Sequence, residues 1–238
     1  MQVSRFGPLR ARVTPPRPGV ADRGLVVLLH GYGAPGGDLA PLGRQLPAPP
    51  GVRFAFPEAP LELMPGYDAR AWWPIDVAAL EAALSAGTHR DRGLEDPPEL
   101  PQVAAALEAF LDALTAELGL TQAPLVLGGF SQGAMLSCEL AARSARPLAG
   151  LMVLSGTLLA AERWAEGFKA RAGLPVLQSH GRSDPLLSFA DAERLKALFE
   201  AAATRHTWLP FHGQHELPRS LFEATGSFLG DLFESPDA

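Results

Sequence analysis

Apolar positions along this chain fall into two rhythms. Residues 25–29 (LVVLL) form an unbroken run of leucine and valine closed by His30-Gly31, the pattern of a strand buried on both faces. Shorter runs of the same kind recur at 52–56, 125–128, 151–154, 176–179 and 207–209. Between them the spacing changes. Val103, Leu107, Phe110, Leu111, Leu114 and Leu118 stand three and four apart and make one stripe along a helix over 103–118. Similar patterning predicts helices over 131–142, over 189–201 and after Pro218, a residue suited to a first helical turn. Strands alternating with helices predict a mostly parallel central sheet with helices on both faces. Residues 6–13 are expected to add an antiparallel edge strand ahead of the Pro-rich loop 15–19, and no internal repeat is visible.

Two stretches break the rhythm. Residues 59–75 (APLELMPGYDARAWWPI) and 85–101, rich in charge, Pro and Gly, are too irregular for core elements and longer than ordinary connections. They are expected to shape an active site, although the second reads equally well as a plain surface insertion.

Composition narrows the classes. A chain of 238 residues, 47% hydrophobic and 19% charged, has the size of one large α/β domain over 1–238. Its 20 Lys and Arg against 26 Asp and Glu give a net charge of −6, and no basic cluster tracks a phosphate backbone, so nucleic acid is not an expected partner. The opening MQVSRFGPLR has no apolar targeting core, and no apolar run approaches the roughly 18 residues that span a bilayer. The expectation is a cytoplasmic protein with no integral membrane segment. Cys138, the single cysteine, excludes an intrachain disulfide and reads as a small apolar residue on a buried helix face.

The candidate chemistry starts at 127–135, LGGFSQGAM, where Ser131 stands between Gly129 and Gly133 at the hand-over from strand to helix. A serine at the tip of so sharp a turn sits on strained backbone, and side chains two positions before and after it would collide. The turn raises the hydroxyl above the sheet edge and aims a helix N-terminus at whatever binds there. Such a serine needs a base, and the base needs an acid. Past the run 176–179 comes His180-Gly181-Arg182-Ser183-Asp184, and past 207–209 comes Phe211-His212-Gly213-Gln214-His215. Ser131, Asp184 and His215 then follow the chain order of α/β-hydrolases. Asp191 is a rival acid, but its place in a helical first turn suits the helix dipole.

Of the other histidines, His30 and His180 read as structural braces, and His89 and His206 have no evident partner. His212 competes with His215 for the role of base. His212-x-x-His215 is not joined by any further Cys/His set, so no metal is expected. For the oxyanion hole, one donor is the backbone N–H after the nucleophile, Gln132, and the other comes from the loop HGYGAPGG at 30–37, with Tyr32 N–H the expected donor.

HGYGAPGGDL (30–39), FPEAP (56–60), RAWWPID (70–76), GFSQGA (129–134), SHGRSDPLL (179–187) and GQHELP (213–218) together resemble the motif series of the phospholipase/carboxylesterase family, which includes acyl-protein thioesterases. They occur in family order over nearly the whole chain, and GFSQGA is the most specific of them. The resemblance implies an α/β-hydrolase fold and a cofactor-free serine esterase or thioesterase. Ser131 becomes nucleophile, Asp184 acid and His215 base, with Tyr32 and Gln132 at the oxyanion hole. It also implies a small-molecule acyl ester or thioester substrate and a shallow apolar acyl site near the tryptophan loop. Trp72, Trp73 and Leu186 are the candidate substrate-binding residues there, with anchoring of the loop to the core as the competing role for the tryptophans. A monomer or homodimer is expected. Two features depart from the family pattern: Gln214 stands between Gly213 and His215 where relatives read Gly-His, and 85–101 has no counterpart in the resemblance. Two other readings stay open. One is a non-catalytic α/β-hydrolase scaffold that binds an acyl or hormone-like ligand. The other is a dienelactone-hydrolase-like enzyme, although that would normally carry cysteine at position 131.

Overall fold

The structure, a computed structural model, describes residues 1–89 and 91–234; residue 90 of the stretch 85–101, and residues 235–238, lie outside the described residues. In chain order the strands are β1 (Val3–Phe6), β2 (Leu9–Val13), β3 (Gly24–Leu29), β4 (Val52–Pro57), β5 (Leu61–Glu62), β6 (Arg70–Ala71), β7 (Leu125–Phe130), β8 (Gly150–Leu154), β9 (Pro175–Gly181) and β10 (Arg205–Phe211). The helices are α1 (Leu42–Gln45), α2 (Val77–Ser85), α3 (Leu100–Leu118), α4 (Gln132–Arg143), α5 (Ala161–Phe168), α6 (Phe189–Ala201) and α7 (Ser220–Phe233). Eight strands form one sheet in the order β1-β2-β4-β3-β7-β8-β9-β10, parallel from β4 onward, with β1 and β2 antiparallel at one edge. β5 and β6 pair separately. This is the α/β-hydrolase architecture.

The unbroken apolar runs follow from two buried faces. Along β3, Leu25, Val27 and Leu29 join the core formed with α3, α4, α5 and α6. Val26 and Leu28, pointing the other way, join the core formed with α1 and α7. A strand covered on both sides has no polar positions to alternate with, and all six β3 residues are buried. Among the described residues, no helix is long and apolar enough to cross a membrane.

The edge strand expected over 6–13 is instead a hairpin. Phe6 pairs with Leu9, which leaves Gly7-Pro8 as a two-residue turn, and Pro8 has no N–H to continue a ladder. Three helices lie outside the apolar pattern. α1 is four residues long, α5 rests on Trp164 and Phe168 alone as buried residues, and α2 buries none of its nine residues. α2 is started by its cap, since Asp76 Oδ1 accepts the Ala79 N–H at 2.9 Å.

His206 on β10 makes the fold acid-sensitive. Its Nε2 meets Gln178 Oε1 at 2.9 Å, and burial is the main cause that pushes its pKa down to about 4. His30 and His180 are also held below the ordinary histidine range, in both cases mainly by burial. Between pH ~6.5 and ~4 the unfolded chain therefore binds more protons than the folded one. Stability is full above that window and lost as pH falls through it. Because the His206 ring keeps some solvent contact, the expected loss on its account is about 1–2 kcal/mol, or roughly 5 °C in Tm. Calorimetry from pH 7 to pH 4.5 should show that fall, and His206→Gln should reduce it while the His30 and His180 part remains.

Candidate active site

β7 delivers the serine. Ser131 follows Phe130 with φ 55° and ψ −118°, a conformation L-residues rarely hold, and its N–H donates to Leu154 O on β8 at 2.9 Å. The flanking glycines have a steric reason. A Cβ on Gly129 would stand 2.5 Å from the backbone carbon of Gly133 and 2.6 Å from Leu29 O, and one on Gly133 would stand 2.2 Å from Leu29 O. The first turn of α4 thus lies directly on β7 and β3, which sets Ser131 at the carboxyl end of the sheet on the wall of a cavity of about 650 Å³.

Asp184 and His215 come from the loops after β9 and β10. These neighbouring loops are joined, with the Arg182 N–H donating to Phe211 O at 2.9 Å and the Ser183 N–H to Gly213 O at 3.0 Å. His215 Nδ1 lies 2.6 Å from Asp184 Oδ2, while Asp184 Oδ1 accepts the Leu186 and Leu187 amides at 2.8 and 3.0 Å. Burial by itself would raise the Asp184 carboxyl. The hydrogen bond and charge of His215 and the two amides outweigh it and hold the group below the ordinary carboxylate range. His215 lines the same cavity as Ser131, its ring centroid 4.7 Å from that of Phe130. Among the described residues no hydrogen bond joins the Ser131 hydroxyl to His215, a contact that commonly tightens only around substrate. His212 is exposed and does not line the cavity. Asp191 pairs with Arg194 at 3.0 Å in the first turn of α6.

Tyr32 and Gln132 both line the cavity beside Ser131. Gln132 is the first residue of α4, where backbone amides have no intrahelical acceptor. In the 30–37 loop the Gly33 N–H is taken by Arg70 O at 2.8 Å and the Ala34 N–H by Gly31 O at 3.4 Å. His30 braces that loop: its Nε2 accepts the Ala59 N–H at 3.0 Å and its Nδ1 meets Gly31 O at 2.8 Å.

The cavity is mainly apolar, walled by Trp73, Ile75, Leu80, Phe130, Met135, Leu159, Leu186 and Leu187. Parts of both irregular stretches reach it: residues 73–75 of the first and Arg92, Glu95 and residues 96–99 of the second. The second is tied to the helices beneath. Asp96 forms a two-pronged pair with Arg163 of α5 at 2.5 and 2.8 Å, Asp91 meets Arg194 of α6 at 2.6 Å, and the Ala160 and Ala161 amides donate to Glu95 O and Gly93 O.

The two tryptophans separate. Trp73 and Leu186 are on the cavity wall, but Trp72, expected beside them, is not. Trp72 is wholly buried, its Nε1–H donating to His30 O at 2.9 Å, while Trp73, also buried in the same core, has one side on the cavity. Gln132 holds both of them, an arrangement the sequence reading missed. Its Oε1 accepts the Trp72 N–H at 2.9 Å and its Nε2–H donates to Trp73 O at 2.8 Å. A long polar residue at the first, buried position of a helix was the available signal. Trp72→Leu should cost about 2–4 kcal/mol of stability at unchanged acyl preference, and Trp73→Leu, equally part of the core, should cost a comparable amount, but only Trp73→Leu should move the preferred acyl length upward. Chemical denaturation and a chain-length series on both variants check this, and an equal acyl preference in the two would contradict it.

Burial pushes the Cys138 thiol well above its usual range, so it is no nucleophile. No group of three or more His, Cys, Asp or Glu side chains is placed to hold a metal ion among the described residues.

Comparison with known proteins agrees with this architecture. A family model described as phospholipase/carboxylesterase matches residues 12–232. Acyl-protein thioesterase 1 of Mycosarcoma maydis is 29% identical over 223 residues, covering 89% of this chain and 90% of that protein. Acyl-protein thioesterase 1 of Schizosaccharomyces pombe is 28% identical, covering 92% and 95%. Among solved structures, esterase PE8 superposes with a TM-score of 0.73 at 28% identity, covering 94% of this chain and 99% of its own. The Bacillus cereus carboxylesterase superposes with a TM-score of 0.70 over 94% and 95%, and at 21% identity that likeness shows the fold alone.

Proposed function

The chain belongs to the phospholipase/carboxylesterase family and is a serine esterase or thioesterase, and we propose that Ser131, His215 and Asp184 carry its reaction. The observation that supports this most is the pair at one sheet edge: Asp184 Oδ2 lies 2.6 Å from His215 Nδ1, and His215 shares with the strained Ser131 the wall of one apolar cavity.

In the first half of the reaction, His215 Nε2 takes the Ser131 proton as Oγ attacks the acyl carbonyl. The Asp184 hydrogen bond keeps the His215 proton on Nδ1, so Nε2 is the free base, and it stabilises the imidazolium that forms. The oxyanion is held by the Tyr32 and Gln132 amides. The tetrahedral adduct collapses as His215 protonates the leaving alkoxide or thiolate. In the second half, water gives a proton to His215, its oxygen attacks the acyl-serine, and collapse returns the proton to Ser131 Oγ and releases the carboxylic acid. No cofactor enters the scheme.

The substrate is an acyl ester or thioester of small to medium chain length, with its acyl part against Trp73 and Leu186. The two tied stretches over the cavity belong, in this reading, to the same single domain as the triad. The protein acts as a cytoplasmic enzyme, monomeric or homodimeric. A p-nitrophenyl ester series from acetate to palmitate, with an acyl-thioester beside it, tests the assignment. A rate peak at one chain length that vanishes in Ser131→Ala is expected, and a wild type as inactive as that variant across the series would overturn it in favour of a binding protein.

A further inference from the structure

Two histidines stand at the Asp184 carboxylate, and a third, His89, meets the Asp184 carbonyl oxygen with its Nε2 at 2.9 Å. His215 Nδ1 stands 2.6 Å from Oδ2, and His180 Nε2 stands 3.4 Å from the same oxygen and 3.0 Å from the carbonyl oxygen of Leu187. A carbonyl can only accept, so Nε2 of His180 carries the hydrogen and donates it to Leu187 O, with the carboxylate oxygen close by but not hydrogen-bonded. The Leu187 amide in turn donates to Asp184 Oδ1 at 3.0 Å. Ring, turn and carboxylate thus close a circuit around residues 184–187. His180 is the last residue but one of β9, is fully buried, and is absent from the cavity wall, so it does not touch substrate. The Phe189 ring packs against it at a centroid distance of 6.2 Å. The titratable groups facing it are Asp184 and His215, beside the backbone of Leu187 and Gly156. Burial disfavours the charged ring, so it stands beside the carboxylate as a dipole rather than as a second cation.

We propose that His180 is a positioning residue of the hydrolase: its Nε2 hydrogen bonds Leu187 O and so holds the 184–187 turn, and its N–H dipole, 3.4 Å from Asp184 Oδ2, sets how strongly the acid grips the base. The proposal rests on the assignment of Asp184 and His215 given above. A packing role alone would require only an object of the ring's shape. The hydrogen-bonding role requires a donor at the place of Nε2.

His180→Gln and His180→Asn separate the two, since a glutamine amide nitrogen reaches the place of Nε2 and that of asparagine stops near the place of Nδ1. With p-nitrophenyl butyrate as probe, His180→Asn is expected to lower kcat about 10- to 100-fold at little-changed KM. It should also move the acid limb of kcat/KM upward by about half a pH unit, because a carboxylate that loses the N–H dipole 3.4 Å from Oδ2 stabilises the His215 imidazolium more. His180→Gln should return the limb to its wild-type position and recover most of kcat. Wild-type behaviour of both variants overturns the proposal. So does an equal loss of kcat in both with the limb unmoved and Tm lowered alike. Ser131→Ala and Asp184→Asn are measured alongside, and full activity in either would strike at the triad itself rather than at His180.

Discussion

Replacing Ser131 by alanine is expected to lower kcat by about 10⁴- to 10⁶-fold, His215→Ala by a similar factor, and the double variant by hardly more than either. The reason is that the base serves only to move the nucleophile's proton and the nucleophile is inert without it, so each loss removes the same step. What remains in the double variant is the rate that the Tyr32 and Gln132 amides and substrate binding provide. Stability should stay near wild type in Ser131→Ala, because the Ser131 side chain caps no helix amide and alanine meets the same backbone torsions. Steady-state kinetics with purified, folded variants decides the matter. Losses that multiply in the double variant would mean that the two residues act in separate steps, and the triad would fall.

Gly133→Ala should be the most damaging of the small substitutions at the elbow. Its Cβ would lie 2.2 Å from Leu29 O, and Leu29 is a backbone partner of Gly129 in the ladder between β3 and β7, so the obstacle is sheet rather than a side chain that can turn away. Relief needs α4 to lift off the sheet. The cost should reach about 4 kcal/mol or more, a large share of the roughly 5–15 kcal/mol that holds a domain together. Gly230 in α7 is the internal control. A Cβ there meets nothing within 4 Å, and Gly230→Ala should stabilise by about 0.5–1 kcal/mol through helix propensity. Urea midpoints for the two variants should move in opposite directions, and a wild-type midpoint for Gly133→Ala would refute the close approach.

The central sheet could be read from the chain because the inner parallel strands β3, β7, β8 and β9 are covered on both sides, so burial appears as an unbroken apolar run, whereas β10 at the edge is half-exposed and showed only as the short run 207–209. The elbow was legible for a similar local reason: two glycines two residues either side of a serine answer a clash within a single turn. Other features depend on what the chain meets at a distance. α2 buries no residue, so no stripe announces it, and α5 depends on two aromatics finding α4. Trp72 and Trp73 are the same residue type side by side, and only the place of Gln132 and His30 decides which faces the cavity. The circuit of His180, Leu187 and Asp184 spans seven residues of loop, where spacing alone does not determine which donor meets which acceptor.

The cavity draws its two halves from separate parts of the chain. Ser131, Asp184 and His215 follow β7, β9 and β10, three strands at the C-terminal half of the sheet order, whereas Trp73, Ile75, Leu80 and residues 92–99 belong to one continuous excursion between β4 and α3. On the proposed assignment, much of the cavity wall therefore comes from a different length of sequence than the reacting residues, although Met135, Leu159 and Leu186 come from the segments after β7, β8 and β9. The excursion can lengthen, shorten or change its residues and alter what enters the cavity, while the machinery that cleaves it stays fixed to the sheet. Diversification of such an enzyme is modular: one chemistry is kept, and a replaceable segment decides which acyl group it is offered.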